Sequence, residues 1–245
     1  QNAFGSFIPS SNYPPCEYWF NAKRTVASSG GSWSSLEVNI EDVRTLQTKQ
    51  VTLSFWAMSS MATQLTVAIS QRFGNGGSAS WATISGNITL TSGWTRYTYT
   101  ATLPSTAGAT LGTGHKLLIA FNFPLNATYD FSVTGIQLEE GPIATAFEVR
   151  PYDIELKLCQ RYYSVNYISV RYPATASNQY GQVSWLFPVV MYASPSITTV
   201  AGSNNLLSSV GPAWWDATGG RYEMVSSGAG DVYSLAAQLL ASAEL

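Results

Sequence analysis

Charge is what this 245-residue sequence has least of: 12 basic and 14 acidic residues make up 11% of it, where a soluble domain usually carries about 25%. The net charge is −2 and the cations are scattered. The basic stripe by which a protein tracks nucleic acid is therefore missing, and neither DNA nor RNA is an expected partner. No apolar run reaches the roughly 18 residues of a membrane span, and no basic segment leads into an apolar stretch with a cleavage site, so neither membrane insertion nor a secretory signal is expected. Cysteine is limited to Cys16 and Cys159, which form no CxxC or metal-ligand spacing. Two buried, unpaired thiols are the expected state, with a disulfide as the alternative. Histidine occurs once, at His115 in Gly112-Thr113-Gly114-His115-Lys116. A Ser-His-Asp triad would have to use it as base, yet no GxSxG elbow accompanies it, so a solvated loop histidine is expected.

What fills the space left by charge is Ser, Thr, Asn, Gly and aromatics, the last at 13%. The apolar residues recur with a period of two, the signature of half-buried strands. Val51, Leu53, Phe55 and Ala57 alternate with Thr52, Ser54 and Trp56; Leu65, Val67 and Ile69 alternate with Thr66, Ala68 and Ser70. Further strands are expected at 81–84, 97–103 and 117–123. In 129–138 the phase slips by one residue at Gly135, which predicts a β-bulge, since one extra residue restores the core-facing side and Gly tolerates the backbone required. Seven to nine strands at roughly ten-residue spacing, without βαβ alternation, predict an antiparallel jelly-roll β-sandwich over residues 1–150. The fold class is therefore all-β. Around Arg150-Pro151 the pattern changes to a short linking helix near 153–161, with Asp153 as its cap and Ile154 and Leu158 one turn apart. A smaller C-terminal β domain over 151–245 is expected to follow, with strands at 162–171, 182–191, 196–201, 221–226 and 231–240. Its many aromatics and few charges leave apolar area that one copy would cover poorly, which points to an oligomer.

Chemistry has few footholds. Glycoside hydrolysis needs two acids facing one sugar, and the candidates Glu37, Glu41, Asp42, Asp130, Glu139, Glu140 and Glu148 all have a plain reading as solvated acids near turns and strand edges. No EF-hand, HExxH or Cys/His cluster is present, so no catalytic or metal residues and no cofactor are assigned; a structural Ca²⁺ held by carbonyls and scattered acids stays open. The positive signal is aromatic. A flat ring offers an apolar face to a pyranose while neighbouring amides bind its hydroxyls. Trp214 and Trp215, in a stretch rich in turn residues between Gly211-Pro212 and Gly219-Gly220, with Tyr222, Asn204 and Asn205 as companions, form one candidate ligand site. The loop 74–80 with Trp81 forms a second. Burial of both tryptophans in a core or interface is the competing reading.

Three short motifs occur in order: Gly135-Ile136-Gln137-Leu138-Glu139-Glu140-Gly141, Ala144-Thr145-Ala146-Phe147-Glu148 and Glu155-Leu156-Lys157-Leu158-Cys159-Gln160-Arg161-Tyr162-Tyr163. Together they resemble the junction in bacteriophage and prophage tail-fibre (receptor-binding) proteins, where a carbohydrate-binding-module-like jelly roll gives way to a C-terminal domain. Val51 to Ala57, Gln71-Arg72-Phe73-Gly74, Trp94-Thr95-Arg96-Tyr97 and 185–195 extend the resemblance, and Ala243-Glu244-Leu245 resembles the family's terminus. The chain departs from the pattern at Asn2-Ala3-Phe4, at Cys16-Glu17-Tyr18-Trp19 and at Ala146, where Pro is usual. The resemblance implies a homotrimer on the virion tail, made in the host bacterial cytoplasm. Its implied partners are other virion tail proteins and a host surface glycan or lipopolysaccharide, and it implies attachment without covalent chemistry. A capsid decoration or tail adaptor protein is the alternative, and a polysaccharide depolymerase the third.

Overall fold

The computed structural model describes residues 2–3, 16, 18–27, 30–61, 64–79, 81–200 and 202–243, leaving out the side chains of residues 2, 3, 81–84 and 236. The fold is all-β: sixteen strands and one short helix among the described residues. The chain divides into two compact units, one within residues 1–149 and one within residues 150–244.

In the first unit the strands are β1 (Asn2–Ala3), β2 (Tyr18–Arg24), β3 (Ser35–Glu41), β4 (Gln50–Ser59), β5 (Gln64–Arg72), β6 (Trp81–Thr89), β7 (Thr95–Thr102), β8 (Lys116–Asn122) and β9 (Tyr129–Glu140). They form one sheet in the order β1-β2-β9-β4-β7 and another in the order β3-β8-β5-β6, and every named pair is antiparallel. From β2 to β9 the chain crosses between the sheets at almost every step, which is the winding of a jelly roll. The period-two pattern explains why the sheets close on each other. Val51, Leu53, Phe55 and Ala57 of β4, Leu65, Val67 and Ile69 of β5, Leu117, Ile119 and Phe121 of β8 and Phe131 and Val133 of β9 form one buried cluster. Phe55 meets Phe121 edge to face at 4.9 Å between ring centres, and Phe121 lies 5.9 Å from Phe131.

Gly135 sits in the bulge that its phase slip predicts. Ser54 pairs with Gln137 and Trp56 with Thr134, so Gly135 and Ile136 together oppose Phe55 alone. The φ of Gly135 is 59°, a left-handed angle that an L side chain resists.

The second unit opens with α1 (Tyr152–Gln160), followed by β10 (Tyr163–Ala174), β11 (Tyr180–Leu186), β12 (Ser196–Val200), β13 (Ser203–Asn205), β14 (Leu207–Trp215), β15 (Gly219–Ser226) and β16 (Gly230–Ser242). One sheet runs β10-β16-β12, with β13 also paired to β16; the other runs β11-β15-β14. Between them lies a core that includes Ile168, Trp185, Phe187, Met191, Tyr222, Met224, Ala237, Leu239 and Ala241.

Several expectations are corrected here. Asp153 does not cap α1: Pro151 holds the cap position and no side chain bonds there, while Asp153 and Glu155 occupy the first turn, where negative charge suits the helix dipole. The strand expected to reach Met191 ends at Leu186, because Pro188 has no N–H to continue the ladder. Gly211 and Pro212, read as turn residues, lie inside β14. That strand is an edge, where a missing N–H is tolerated, and a bulge between Pro212 and Trp214 absorbs the irregularity.

The loop between β3 and β4 is tied by polar contacts. Asp42, Leu46 and Thr48 all have positive φ, which non-glycine residues rarely adopt. The Asp42 carboxylate accepts bonds from the Arg44 side chain at 2.9 Å (Nε to Oδ1) and 2.6 Å (Nη2 to Oδ2), and from the Arg44 backbone N–H at 2.9 Å. His115 lies in the loop before β8, as expected, but is only partly solvated: its Nδ1 accepts from the Val43 N–H at 3.3 Å and lies 3.6 Å from Asp42 Oδ1.

Two outcomes follow from this packing. Phe121→Ala removes the ring that joins β4, β8 and β9 and is expected to cost about 3–5 kcal/mol, read as a lowered urea midpoint. The hydrogen bonds from the Arg44 side chain pull the Asp42 carboxyl down to about 2. A depressed carboxyl contributes stability above its unfolded pKa of about 3.9 and loses it as pH falls through the folded value. The thermal midpoint of Asp42→Asn should therefore lie below that of the native chain at pH 6, and the gap should close between about pH 4 and about pH 2.

Candidate functional site

Alternation along β14 sends its two tryptophans to opposite faces. Trp215 turns inward against the core, and its indole N–H donates to the Pro195 carbonyl at 2.8 Å. Trp214 turns outward and is 59% exposed. Opposite Trp214 on β15 stands Arg221, and opposite Arg221 on β11 stands Ser184. The next outward row is Gly211, Glu223 and Gln182. Cross-strand neighbours of this kind are about 5 Å apart, so the indole and these polar groups share one surface.

The polar row is preorganised. Arg221 Nη2 lies 2.8 Å from Glu223 Oε1, and Gln182 Nε2 donates to the same oxygen at 2.8 Å. Gly211 leaves the position beside Glu223 on β14 without a side chain. The hairpin that carries Trp214 is closed by Asp216, whose Oδ1 accepts from the Thr218 hydroxyl at 2.6 Å and from the Thr218 N–H at 2.7 Å. The Thr218 hydroxyl holds this exposed carboxyl below its usual range. The result is a flat apolar ring beside fixed donors and acceptors, the composition that suits a sugar: stacking on the ring and hydrogen bonds from its hydroxyls.

The other residues named from sequence do not join Trp214. Tyr222 is 1% exposed and faces the core, because it lies one residue out of phase with Arg221 and Glu223; its ring is closed to any ligand. Asn204 and Asn205 belong to β13 and pair with β16 in the other sheet, where Asn205 Nδ2 donates to the Asp231 carbonyl at 2.7 Å. They line a shallow hollow of about 290 Å³ with 206–210. The Trp81 side chain and Ser80 lie outside the described residues, as do Glu244 and Leu245. Missed in the sequence were Arg221, Glu223 and Gln182. The signal was there: residues alternating with buried Tyr222 and Met224 must face outward, but only the strand register places Gln182 beside them.

Of the acids weighed for hydrolysis, Asp42, Asp130, Glu139 and Glu140 are engaged structurally. Asp130 accepts from Asn21 Nδ2 and the Ser60 hydroxyl at 2.8 and 2.9 Å, and the Asn21 bond leads in lowering its pKa. Glu139 is raised by burial, but hydrogen bonds from Thr145 and Gln137 outweigh this and lower it overall. Asp42 is lowered as described. A glycosidase general acid needs the opposite shift. Glu140 pairs with Lys49 at 2.9 Å. Among the described residues no group of three or more His, Cys, Asp or Glu side chains comes together. Both cysteines are free. Cys16 is half-buried, and burial raises its thiol pKa; Cys159, expected to be buried, is exposed on α1, a helix with no fully buried residue.

No model of a known protein family matches the chain, and no curated protein matches it. Among solved structures it is similar to the N-terminal cellulose-binding domain of Cellulomonas fimi β-1,4-glucanase C, at 16% identity and a TM-score of 0.38, covering 55% of this chain and 95% of that one. It is also similar to the family 11 carbohydrate-binding module of cellulosomal cellulase Lic26A-Cel5E of Clostridium thermocellum, at 14% identity and a TM-score of 0.33, covering 53% and 92%. A third likeness is to the enzymatically active domain of bacteriophage CBA120 tailspike protein 4, at 16% identity and a TM-score of 0.33, covering 53% and 19%. Scores of this size establish neither a shared family nor a shared ligand, and the jelly-roll assignment rests on strand order.

Proposed function

We propose that this chain is a non-catalytic adhesion subunit of a bacteriophage tail fibre. It is made in the host bacterial cytoplasm, assembled as a homotrimer with other tail proteins, and binds a glycan or lipopolysaccharide of the host surface through the Trp214 shelf. The observation that carries the tail-fibre reading is the physical coherence of the motifs that resemble that family. Gln137 and Glu139 lie on one face of β9, and both hold the segment that leaves it. Glu139 accepts from the Thr145 N–H at 3.1 Å and from its hydroxyl at 2.5 Å. Gln137 Nε2 donates to the Ala146 carbonyl at 3.3 Å, and its Oε1 accepts from the Glu148 N–H at 2.8 Å. Arg96, from the Trp94 to Tyr97 motif, donates to the Thr145 carbonyl. Motif residues separated in sequence are thus one hydrogen-bonded device that fixes the exit from the jelly roll. Position 146 contributes only its carbonyl, a group that Pro would equally supply.

The glycan reading is supported by Trp214, which is held outward beside the Arg221, Glu223 and Gln182 row. Purified chain is expected to bind bacterial surface polysaccharide. Trp214→Ala should weaken that binding at least tenfold, about 1.4 kcal/mol, with little change in thermal midpoint because the ring is exposed. Isothermal titration against a polysaccharide panel checks this. Binding only to purified capsid or tail core, with none to polysaccharide, would favour a decoration or adaptor protein. Release of reducing sugar would favour a depolymerase.

A further inference from the structure

The outward face of the sheet β11-β15-β14 is a lattice whose rows are set by strand register. One row is Ser184, Arg221 and Trp214; the next is Gln182, Glu223 and Gly211; the third is Tyr180, Val225 and Ser209. Tyr180 is 64% exposed and stands at the corner diagonally opposite Trp214. Two strand spacings across and four residues along place their Cα atoms roughly 16 Å apart, a length that about four linked pyranose rings span. Glu223 lies midway on that diagonal. On one side of it are the donors Arg221 and Gln182, each with a nitrogen 2.8 Å from Glu223 Oε1. On the other side are Gly211 and Val225, which leave the diagonal open: a side-chain carbon added at Gly211 would meet no atom within 4 Å.

Charge on this face cancels. In the three rows the charged side chains are Arg221 and Glu223, which neutralise each other. Asp216, two residues after Trp214, adds a negative charge whose carboxylate is tied by Thr218. A carboxylate on a sugar would have to displace Glu223 from Arg221 and approach Asp216, a repulsion that a neutral sugar does not meet. Hydroxyls, which both donate and accept, match the row as it stands. We infer that the site takes a neutral, linear stretch of about four pyranoses, with Trp214 and Tyr180 stacking its outer rings and Arg221, Glu223 and Gln182 bonding hydroxyls of the inner ones. The inference rests on the proposed glycan binding by the Trp214 shelf and adds selection by length and by charge.

The full chain is titrated calorimetrically with lipid-free bacterial polysaccharides, neutral and uronic-acid-containing in equal number, dextran and hyaluronan among them. Fragments of the tightest binder, from disaccharide to hexasaccharide, follow. Neutral polymers are expected to bind about tenfold more tightly than acidic ones, and the tetrasaccharide about tenfold more tightly than the disaccharide, with no further gain at the hexasaccharide. Tyr180→Ala should bring the tetrasaccharide down to the affinity of the disaccharide and leave disaccharide binding, which needs only Trp214, unchanged. Tyr180→Phe keeps the ring and should keep the length dependence. Because Tyr180 is exposed, the thermal midpoint of both variants should stay at that of the native chain. Binding that depends on Trp214 but favours acidic polymers, ignores fragment length or survives Tyr180→Ala undiminished overturns the inference and leaves the glycan reading standing. No binding to any polymer overturns both.

Discussion

The contact on which residues 1–149 depend is the closure of two sheets over Phe55, Phe121 and Phe131, all fully buried. Each ring comes from a different strand, so none of these strands can be shifted by one residue without turning its whole apolar set away from the space between the sheets. That constraint fixes register, and register fixes everything on the outer faces. The bulge at Gly135 follows from it: β9 serves the core with Phe131 and Val133 before the slip and with Ile136 and Leu138 after it. The same bulge sets the phase of Gln137 and Glu139, and therefore where the exit segment is held.

Period two was legible in the sequence wherever large apolar side chains recur at every second position. Segments such as 51–57 and 117–123 show it, although Thr52, Ser54, Leu118 and Ala120 on their other face are buried as well; the all-β class and the jelly roll could be read from them, and the bulge from 129–138. Legibility failed where a local signal was outweighed by position in the sheet. Gly211 and Pro212 read as a turn, yet on the β14 edge one side of the ladder has no partner to lose. Asp153 read as a cap because of its residue type, whereas Pro151 supplies the backbone angles that start the helix.

The candidate surface was half legible for a similar reason. Residue type alone selected Trp214, Trp215 and Tyr222, but facing is a matter of parity: two of the three point into the core. Parity in turn made partners of Arg221, Glu223 and Gln182, which lie on two strands about forty residues apart and are joined only by pairing. Asn204 and Asn205 are near Trp214 in sequence and in a different sheet. A chain with so little charge thus places an arginine, a carboxylate and an amide in one row beside an outward indole, and the buried sheets beneath give that row its rigidity.

In the proposed function the buried interior is a scaffold and the outward face of β11, β15 and β14 is the surface offered to a ligand. The most direct measurement is a crystal structure of the chain soaked with a bound oligosaccharide. The account predicts a sugar ring stacked on Trp214, with its hydroxyls bonded to Arg221, Glu223 or Gln182. A sugar bound elsewhere, with Trp214 untouched, would contradict it.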